Sequence, residues 1–415
     1  MIVENLLKYN RHWEKGFNYP YNKKREIFNT LLSYLDEKQI IEIAGLRRVG
    51  KTTLLFQIIN SLLYKGVNPL NILYFTFDEE TPTIEGLLDS YSYQTQSDFK
   101  KEKVYIFLDE IQKLSYFQNQ LKVYYDLYPN LKFFISGSTS LFIKKKTQES
   151  LAGRVISFFL KPLNFKEYLH FVEKSEILDR PLIYKREIEK EFEIFLSNQF
   201  IESIEIKDPA KRKEYFKSII RKIIFEDIPA IFPMENPEIL WRVVQIIGQK
   251  PGMIIDYQNL SRELGISNKT LSSYFFYLEE SFLIKKVFNF SPNLLTSEKK
   301  LKKFYLSSPS FCTSISDFTD KGNLVENLVI SLKDYNFFWR DSYKHEVDFI
   351  SLENSEIVPV EVKYKEKIFE NELKNLEIFA KKFNLKKALC LWKNINEEKI
   401  SLGELLIEKK SIYFL

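Results

Sequence analysis

The segment GLRRVGKT at residues 45–52 constrains the fold of this chain more than any other feature of the sequence. It matches the phosphate-binding pattern G-x-x-x-x-G-K-[ST], whose glycines let successive backbone N–H groups point at one anion. Residues 39–44 read as a buried strand, and residues 53–63 carry apolar side chains at helical spacing. Strand, glycine turn and helix predict an α/β domain that binds a nucleotide. The alternative is a loop-to-helix turn that matches the pattern by chance.

Within this loop the sequence predicts a site for ATP and Mg²⁺. The Lys51 ammonium would meet the β- and γ-phosphates, and the Thr52 hydroxyl would bind the metal ion. The helix N-terminus behind the loop would add to the attraction for an anion. The residues predicted to contact ATP are Gly45, Arg48, Val49, Gly50, Lys51, Thr52 and Thr53.

Two acids end a second apolar run, at residues 103–110. In an open α/β sheet such a strand delivers its last side chains to the carboxyl edge, where ligands bind. Asp109 is therefore predicted to hold Mg²⁺, and Glu110 to orient and deprotonate the attacking water. Since a kinase does not need the second acid, the pair favours hydrolysis of ATP over transfer of its phosphate.

Two further apolar runs, residues 71–78 and 131–138, read as strands of the same sheet. The second run ends in small polar residues, and Ser138 is predicted to sense the γ-phosphate or the attacking water. The alternative for Ser138 is a turn serine that follows a core strand.

These motifs resemble those of the AAA-type P-loop ATPases of bacteria and archaea that carry a C-terminal domain of unknown function, the AAA-14/DUF4143 family. The resemblance rests on residues 45–55, FLDEIQ at 107–112, ISGSTS at 135–140, LAGR at 151–154 and LKPLNFKEY at 160–168. It implies that Arg154 is an arginine finger that reaches the nucleotide of a neighbouring subunit. A guanidinium suits this role because its charge is permanent and its fork matches phosphate oxygens. The alternative is an arginine paired with a local carboxylate.

Composition excludes several classes of protein. At 415 residues, 45% of them apolar, the chain is long enough for two or three domains with their own cores. Two cysteines and three histidines exclude a disulfide framework and a cysteine-rich zinc site. No run of about 18 apolar residues occurs, so we expect a cytoplasmic protein without a membrane partner. The net charge of +5 permits binding to nucleic acid without requiring it.

The middle of the chain predicts a module that reads DNA. We expect the ATPase domain at residues 1–170, a helical lid or connector at 171–234 and a winged helix at 235–295, where helix, glycine turn, helix and strand follow one another. Side chains that can reach phosphates and base edges would face outward from the second helix. They are Asn268, Lys269, Ser272 and Ser273. The alternative is a winged helix that packs against other domains or proteins.

The last part of the chain, residues 296–415, is predicted to form an α+β domain. Residues 346–350 and 357–363 read as two strands, and alternation along the second places Glu361 and Lys363 on one face. The basic cluster at residues 299–303 reads as solvated surface that could add phosphate contacts.

If the two strands pair, Asp348 lies beside Glu361 and Lys363, and this set resembles the core of restriction-endonuclease-like folds. The helix that carries Glu326 resembles the element that supplies a further acid in such folds. Acids that hold a metal ion and a lysine that supports the nucleophilic water suit Mg²⁺-dependent cleavage of a phosphodiester. The alternative is the ordinary charged alternation of a half-exposed strand.

Together these patterns predict ATP binding and hydrolysis coupled to DNA, by a chain that assembles with copies of itself and carries a nuclease-like C-terminal domain. The alternative function is a nucleotide-controlled switch that regulates protein partners and uses the C-terminal domain as a non-catalytic scaffold. Stimulation of turnover by DNA separates the two.

Overall fold

The computed structural model describes residues 6–138, 151–299, 301–317, 319–353 and 356–415. The chain contains two compact units. The first ends at Lys161 and includes Glu280–Phe282, and the second comprises Pro162–Glu279 and Leu283–Leu415. The last two residues of the ISGSTS segment and residue 300 of the basic cluster lie outside the described residues.

A five-stranded parallel sheet forms the centre of the first unit. Its strands are β1 (Ile40–Ala44), β2 (Ile72–Thr76), β3 (Val104–Asp109), β4 (Leu131–Gly137) and β5 (Val155–Phe159). They lie in the order β2-β3-β4-β1-β5, and every neighbouring pair is parallel. All residues of β1, β3 and β4 are buried, as expected for parallel strands covered on both faces. The predicted α/β class with a parallel-sheet P-loop domain is confirmed.

In the chain, the helices of the first unit alternate with strands β1 to β4, and the first helix precedes β1. They are α1 (Phe28–Leu32), α2 (Lys51–Tyr64), α3 (Ile84–Thr95) and α4 (Phe117–Leu127), with short 3₁₀ turns at Leu6–Lys8, Arg11–Trp13, Pro69–Asn71 and Ile111–Lys113. Fully buried side chains such as Phe75, Leu87 and Phe117 join the sheet, α3 and α4 in one hydrophobic core. This core fixes the strands that carry the candidate site.

The strand order brings three chain segments to one edge of this sheet. Strands β1, β4 and β3 are consecutive neighbours and run in the same direction. Because their carboxyl ends therefore lie side by side, the segments that follow Ala44, Gly137 and Asp109 meet at that edge.

The second unit contains a nine-stranded mixed sheet. Its strands are β6 (Met253–Ile254), β7 (Ile284–Asn289), β8 (Lys302–Leu306), β9 (Phe337–Arg340), β10 (Glu346–Glu353), β11 (Glu356–Lys363), β12 (Lys387–Trp392), β13 (Glu398–Leu402) and β14 (Leu405–Ser411). Their order is β13-β14-β12-β11-β10-β9-β7-β8-β6. The pairs β7–β9, β11–β12 and β12–β14 are parallel, and the other neighbours are antiparallel.

The helices of the second unit begin before its first strand. They are α5 (Phe165–Phe171), α6 (Lys185–Leu196), α7 (Ile201–Ile204), α8 (Pro209–Lys222), α9 (Ile228–Ile231), α10 (Pro237–Gln249), α11 (Tyr257–Leu264), α12 (Asn268–Glu280), α13 (Leu294–Lys299), α14 (Pro309–Ile315), α15 (Lys321–Leu332) and α16 (Lys374–Phe383). A π-helical turn at Ile223–Asp227 joins α8 to α9, and 3₁₀ turns lie at Ser175–Leu178, Glu370–Leu373 and Ile412–Phe414.

Helices α11 and α12 are separated by a glycine turn and followed by an antiparallel hairpin. Asp256 caps α11 by accepting from the Asn259 N–H at 3.0 Å, and the turn passes through left-handed Gly265. Ser267 caps α12 by accepting from the Thr270 N–H at 3.0 Å. Strands β7 and β8 form the hairpin, and β6 pairs with β8.

Strands β10 and β11 lie where the sequence predicts two strands, and they pair antiparallel. Phe349 lies opposite Val360 in this register, which places Asp348 opposite Glu361. In the described part of the chain, no helix combines the length and the apolar composition that crossing a bilayer requires.

Candidate functional site

The phosphate-binding loop lies between β1 and α2, at the carboxyl edge of the parallel sheet. Gly50 adopts a left-handed conformation, with φ of 99°, directly before the first residue of α2. Glycine adopts this conformation without steric cost. A Cβ atom on Gly45 would lie 2.4 Å from the carbonyl oxygen of Leu160, so a side chain there would displace the loop from the segment after β5. The backbone geometry therefore requires both glycines of the pattern.

The other residues predicted to contact ATP lie around the same turn. Arg48 also has a left-handed backbone, with φ of 68°. Val49 is buried, and its carbonyl oxygen accepts a hydrogen bond from Arg25 Nη1 at 3.0 Å. Thr53 lies half-buried in the first turn of α2. The buried guanidinium of Arg25 was not found from the sequence, and it braces the loop from the N-terminal side of the chain.

The Lys51 side chain lies along the loop. Its ammonium is buried and donates to the carbonyl oxygens of Gly45 and Leu46 at 3.1 and 2.9 Å. A bound phosphate chain would compete with these carbonyl oxygens for the ammonium, since charged oxygens make the stronger hydrogen bonds. The structure thus places the lysine inside the loop, where the sequence predicts it.

Asp109 lies at the centre of a network of hydroxyl donors. The Thr52 Oγ1 donates to its Oδ2 at 2.6 Å, the Tyr74 hydroxyl donates to the same oxygen at 3.1 Å, and the Ser136 hydroxyl donates to Oδ1. Burial raises the pKa of Asp109 and the nearby Glu110 adds to this shift, while the two hydroxyls of Ser136 and Thr52 act in the opposite direction. The carboxylate is thereby fixed next to the loop.

These donors fit a magnesium ion. The hydroxyl of Thr52 and the carboxylate of Asp109 are hard oxygen ligands, and the two oxygens lie 2.6 Å apart at the end of the loop. Mg²⁺ prefers such ligands and usually keeps several waters or phosphate oxygens in its shell. The two residues predicted to hold the metal ion are brought together by the parallel pairing of β1, β4 and β3.

Glu110 follows β3 and is held in place by two neighbours. Its backbone is left-handed, with φ of 51°, and its Oε2 accepts from the Ser138 hydroxyl at 3.2 Å and from the Gln112 amide. Gln112 also donates to Ser138 Oγ at 3.1 Å. Ser138 therefore contacts Glu110, and both lie at the sheet edge that carries the loop.

Three residues of this network were not found from the sequence: Tyr74, Ser136 and Gln112. Each carried a signal, because Tyr74 and Ser136 are polar side chains within apolar strands and Gln112 lies shortly after one. A polar side chain that interrupts a buried strand needs a partner. The partners, Asp109 and Glu110, become evident only from the strand order.

Arg154 lies away from the loop of its own unit. It precedes β5, whose first residue pairs with Ile40 at the amino end of β1, so about 13 Å of strand separates it from the loop. Its Nε and Nη2 atoms donate to the carboxylate of Asp126 at 2.9 and 3.0 Å. The local ion pair weighed from the sequence is therefore present. The phosphates of this loop are out of its reach.

The side chains predicted to face DNA lie at the start of α12. Lys269 and Ser272 are exposed, and Ser273 is half-buried. Asn268 is exposed as a residue, but its Oδ1 accepts from the Ser261 hydroxyl at 2.5 Å and so links α12 to α11. Leu271, on the opposite face of the helix, is buried.

The second unit brings an acid and a lysine together on β11. Lys363 Nζ lies 2.5 Å from Glu361 Oε1, as expected for alternate residues on one face. Asp348 accepts from the Val362 N–H through its Oδ2 at 2.8 Å. Glu361 is only 3% exposed, and its Oε2 has no hydrogen-bond partner within the described part of the chain. Burial and the nearby Asp348 raise the pKa of Glu361.

A cavity of about 740 Å³ opens beside these strands. Its lining includes Glu326, Asp348 and Lys363, with the further lysines Lys321 and Lys365 around them. Across the described ranges, no three His, Cys, Asp or Glu side chains lie close enough to hold a metal ion by themselves. A single Mg²⁺ at Asp348 and Glu361 would take its other ligands from water and from a phosphate, which is usual for this ion. The orphaned Glu361 oxygen fits such a cation.

Glu326 is held by residues of β8. Lys303 Nζ lies 3.1 Å from Glu326 Oε1 and 2.7 Å from Glu346 Oε1, and the Tyr305 hydroxyl also donates to Glu326. Burial alone would lower the pKa of Lys303, but the surrounding acids raise it well above its ordinary value. The expectation of solvated surface is wrong for Lys303, because the hairpin turns this side chain toward the carboxylates.

Comparisons with protein-family models match three successive segments of the chain to three different domains. A family model described as an AAA domain (AAA_14) matches residues 37–169, and models of two domains of unknown function match residues 202–322 (DUF8612) and 321–408 (DUF4143). An uncharacterized protein of Methanocaldococcus jannaschii is 28% identical over 379 residues, which cover 88% of this chain and 84% of that protein. One of Haemophilus influenzae is 25% identical over 387 residues, covering 89% of this chain and 93% of that protein.

A solved structure of the Aeropyrum pernix Orc1 protein in complex with DNA is also similar. The match covers 74% of this chain and 96% of that one, at 11% identity and a TM-score of 0.35, which is too low to indicate a common overall arrangement. The family models, in contrast, match the segments that carry the phosphate-binding loop, the acids after β3 and the strands of the C-terminal cluster. The chain therefore contains an AAA domain of the AAA_14 family and a C-terminal DUF4143 domain, the two domains of the family that its motifs resemble.

Proposed function

We propose that this protein binds ATP with Mg²⁺, hydrolyses it, and couples hydrolysis to DNA. The observation that carries the proposal is the position of Glu110, whose carboxylate is held by Ser138 and Gln112 beside the Thr52–Asp109 pair. A carboxylate in this place can accept a proton from water next to a bound triphosphate. The hydrogen bonds from Ser138 and Gln112 fix the orientation of this carboxylate.

The residues of the loop and the two acids at the end of β3 have different roles in the reaction. Lys51 binds the phosphate chain, and the backbone N–H groups between Gly45 and Lys51 surround it. Thr52 and Asp109 hold Mg²⁺, which when bound neutralises charge on the phosphate oxygens. Glu110 orients the water and removes its proton.

We further propose that Arg154 completes the site of a second copy of the chain. This is supported by its position, since it cannot reach the phosphates of its own loop and its guanidinium makes a partly exposed pair with Asp126 beside the ring of Tyr125. Such exposed pairs contribute little and exchange easily for another anion. An active assembly then contains at least two subunits.

Mixing two inactive variants tests this arrangement. Arg154→Ala and Lys51→Ala should each hydrolyse ATP poorly, and a mixture should regain part of the turnover because the intact halves of two subunits form one working site. Steady-state ATPase rates at several mixing ratios measure the effect. Asp126→Asn is the matched control: it removes the partner of Arg154, leaves the arginine, and should keep its turnover. Mixtures that stay inactive at every ratio would contradict a site shared between subunits.

DNA contact is proposed for the segment from α10 to β8, which we interpret as a winged helix. The proposal is supported by the order of helices, glycine turn and hairpin, and by exposed Lys269 and Ser272 at the start of the second helix. In helix-turn-helix proteins these positions enter the major groove. DNA binding there would link the second unit to ATP turnover.

The test combines binding and turnover. Duplex DNA should raise the ATPase rate, and Lys269→Glu should weaken DNA binding about tenfold or more, because a cation near the phosphates is replaced by an anion. Fluorescence anisotropy with labelled duplex at several salt concentrations measures this. Lys101→Glu, at an exposed lysine of the first unit, should change neither quantity. Equal affinity in the Lys269→Glu protein removes α12 from the DNA surface, and no stimulation by DNA favours a switch that acts on protein partners.

The C-terminal cluster is proposed as a Mg²⁺-dependent nuclease of restriction-endonuclease-like type. Support comes from the antiparallel pairing of β10 and β11, which sets Asp348 opposite Glu361, and from Lys363 at 2.5 Å from Glu361. Lys363 would support the attacking water, and the two acids would hold the metal ion. Lysines around the cavity suit a phosphodiester backbone.

A further inference from the structure

Lys303, on β8, is a buried cation among acids that come from two other elements, α15 and β10. Its side chain is 4% exposed, and its ammonium contacts Glu326 of α15 at 3.1 Å and Glu346 of β10 at 2.7 Å. Asp348 lies close enough to Lys303 to interact with its charge. A lysine is rarely buried unless it compensates negative charge.

The Oε1 atom of Glu326 is enclosed by this arrangement. It accepts from Lys303 Nζ and from the hydroxyl of Tyr305, which lies two residues further along the same face of β8. A Cβ atom on Gly252 would lie 3.1 Å from the same oxygen, so the turn before β6 packs directly behind it. The Oε1 atom of Glu326 is therefore occupied by contacts with the hairpin strand β8, at the wall of the cavity.

Glu361 is placed differently. Its side chain is 4% exposed, against 14% for Glu326, yet its Oε2 lacks a hydrogen-bond partner among the described residues, and its Oε1 contacts the half-buried Lys363. The nearby charges also leave part of the negative charge of the cluster uncompensated. Four carboxylates, of Glu326, Glu346, Asp348 and Glu361, are set against three cations, Lys303, Lys363 and Arg340, which contacts Glu346 at 3.3 Å. The remaining negative charge lies at Asp348 and Glu361.

We propose that Lys303 is a built-in cation that engages the Oε1 atom of Glu326 and keeps this acid out of the metal shell, so that the cluster beside the cavity takes one divalent ion, at Asp348 and Glu361. Lys303 is thus a positioning residue that sets how many metal ions the cluster binds. The inference rests on the proposed nuclease function of the same cluster. It goes further because the ammonium of Lys303 would take the place of one cation among the acids.

Titration with Mn²⁺ tests the proposal without measuring cleavage. The full chain carrying Asp109→Asn, without nucleotide, serves as the starting protein, because this change removes the carboxylate that would hold a metal ion in the first unit. It should bind one Mn²⁺ in the second unit by calorimetry or electron paramagnetic resonance. Adding Lys303→Met should raise the affinity about tenfold or allow a second ion, because a positive charge beside the acids has been removed. Lys302→Met, on the opposite face of β8, should change neither. Unchanged affinity and stoichiometry in the Lys303→Met protein overturn the proposal.

Two further variants keep the test decisive if Lys303→Met fails to fold. Glu326→Gln should retain the Mn²⁺ affinity to within about threefold, whereas Asp348→Asn should lose about tenfold or more, since only the second removes a ligand. An equal loss in both would make Glu326 a metal ligand and overturn the proposal. If the starting protein binds Mn²⁺ but the unchanged protein cuts no DNA, only the nuclease function fails. If the starting protein binds no Mn²⁺ in the second unit, both fail.

Discussion

Replacement of Glu110 by glutamine should leave ATP bound but slow its hydrolysis by about two to four orders of magnitude, the usual contribution of a general base. Glutamine keeps the shape of the side chain and an oxygen that can accept from Ser138, but it cannot take a proton from water. The effect should therefore fall on kcat and spare ground-state binding. Single-turnover hydrolysis and equilibrium binding of a fluorescent ATP analogue separate the two quantities.

Two further variants should be measured beside Glu110→Gln for comparison. Lys51→Ala should lose much of the affinity for ATP, because the lysine contacts the phosphates before the reaction begins. Glu102→Gln, at an exposed acid just before β3, should behave like the unchanged protein. Hydrolysis at the normal rate by the Glu110→Gln protein would show that another group serves as the base.

The second large effect concerns the C-terminal cluster. Asp348→Asn and Lys363→Ala should each abolish Mg²⁺-dependent nicking of plasmid DNA and leave ATP hydrolysis intact. Asparagine retains an oxygen that can accept from the Val362 N–H, so the strand pair should persist while the charge that attracts the metal ion is lost. Agarose gels of supercoiled plasmid with Mg²⁺ or Mn²⁺, with and without ATP, measure the outcome.

The control for this experiment is Lys367→Ala, at an exposed lysine that follows β11. It should cut DNA as the unchanged protein does. Cleavage that persists in both the Asp348→Asn and Lys363→Ala proteins would identify a contaminating nuclease. If the unchanged protein leaves every substrate intact under both metals, the cluster is a structural element, and Glu361 and Lys363 are an ordinary ion pair on one strand.

The sequence predicted where the residues of the phosphate-binding loop lie, because the information is local. The loop pattern, the strand before it and the helix after it occupy one short stretch, and parallel β1, β3 and β4 then place Asp109 and Ser138 at the same edge. The strand order β2-β3-β4-β1-β5 could not be read from these segments, since each is simply an apolar run. For that reason the contacts made by Tyr74 and Ser136 were not foreseen.

Lys303 shows where prediction from sequence stops. Within the cluster at residues 299–303 it resembles a surface lysine, and nothing near it in the chain suggests a partner. Its burial depends on the pairing of β8 with both β6 and β7, and on acids that lie 23 residues or more away in sequence. Contacts of this kind follow from tertiary structure and have no local pattern.

The continuous sheet of the second unit limits how the protein can be dissected. β7 pairs with both β8 and β9, and β8 pairs in turn with β6. A fragment that began at residue 296 would lose β6 and β7 together, leaving β8 without either neighbour and β9 with a bare edge. Exposed edges of this kind recruit strands from other molecules and aggregate. The segment from α11 to β8 and the carboxylate cluster therefore depend on one sheet, and a useful truncation would have to keep both.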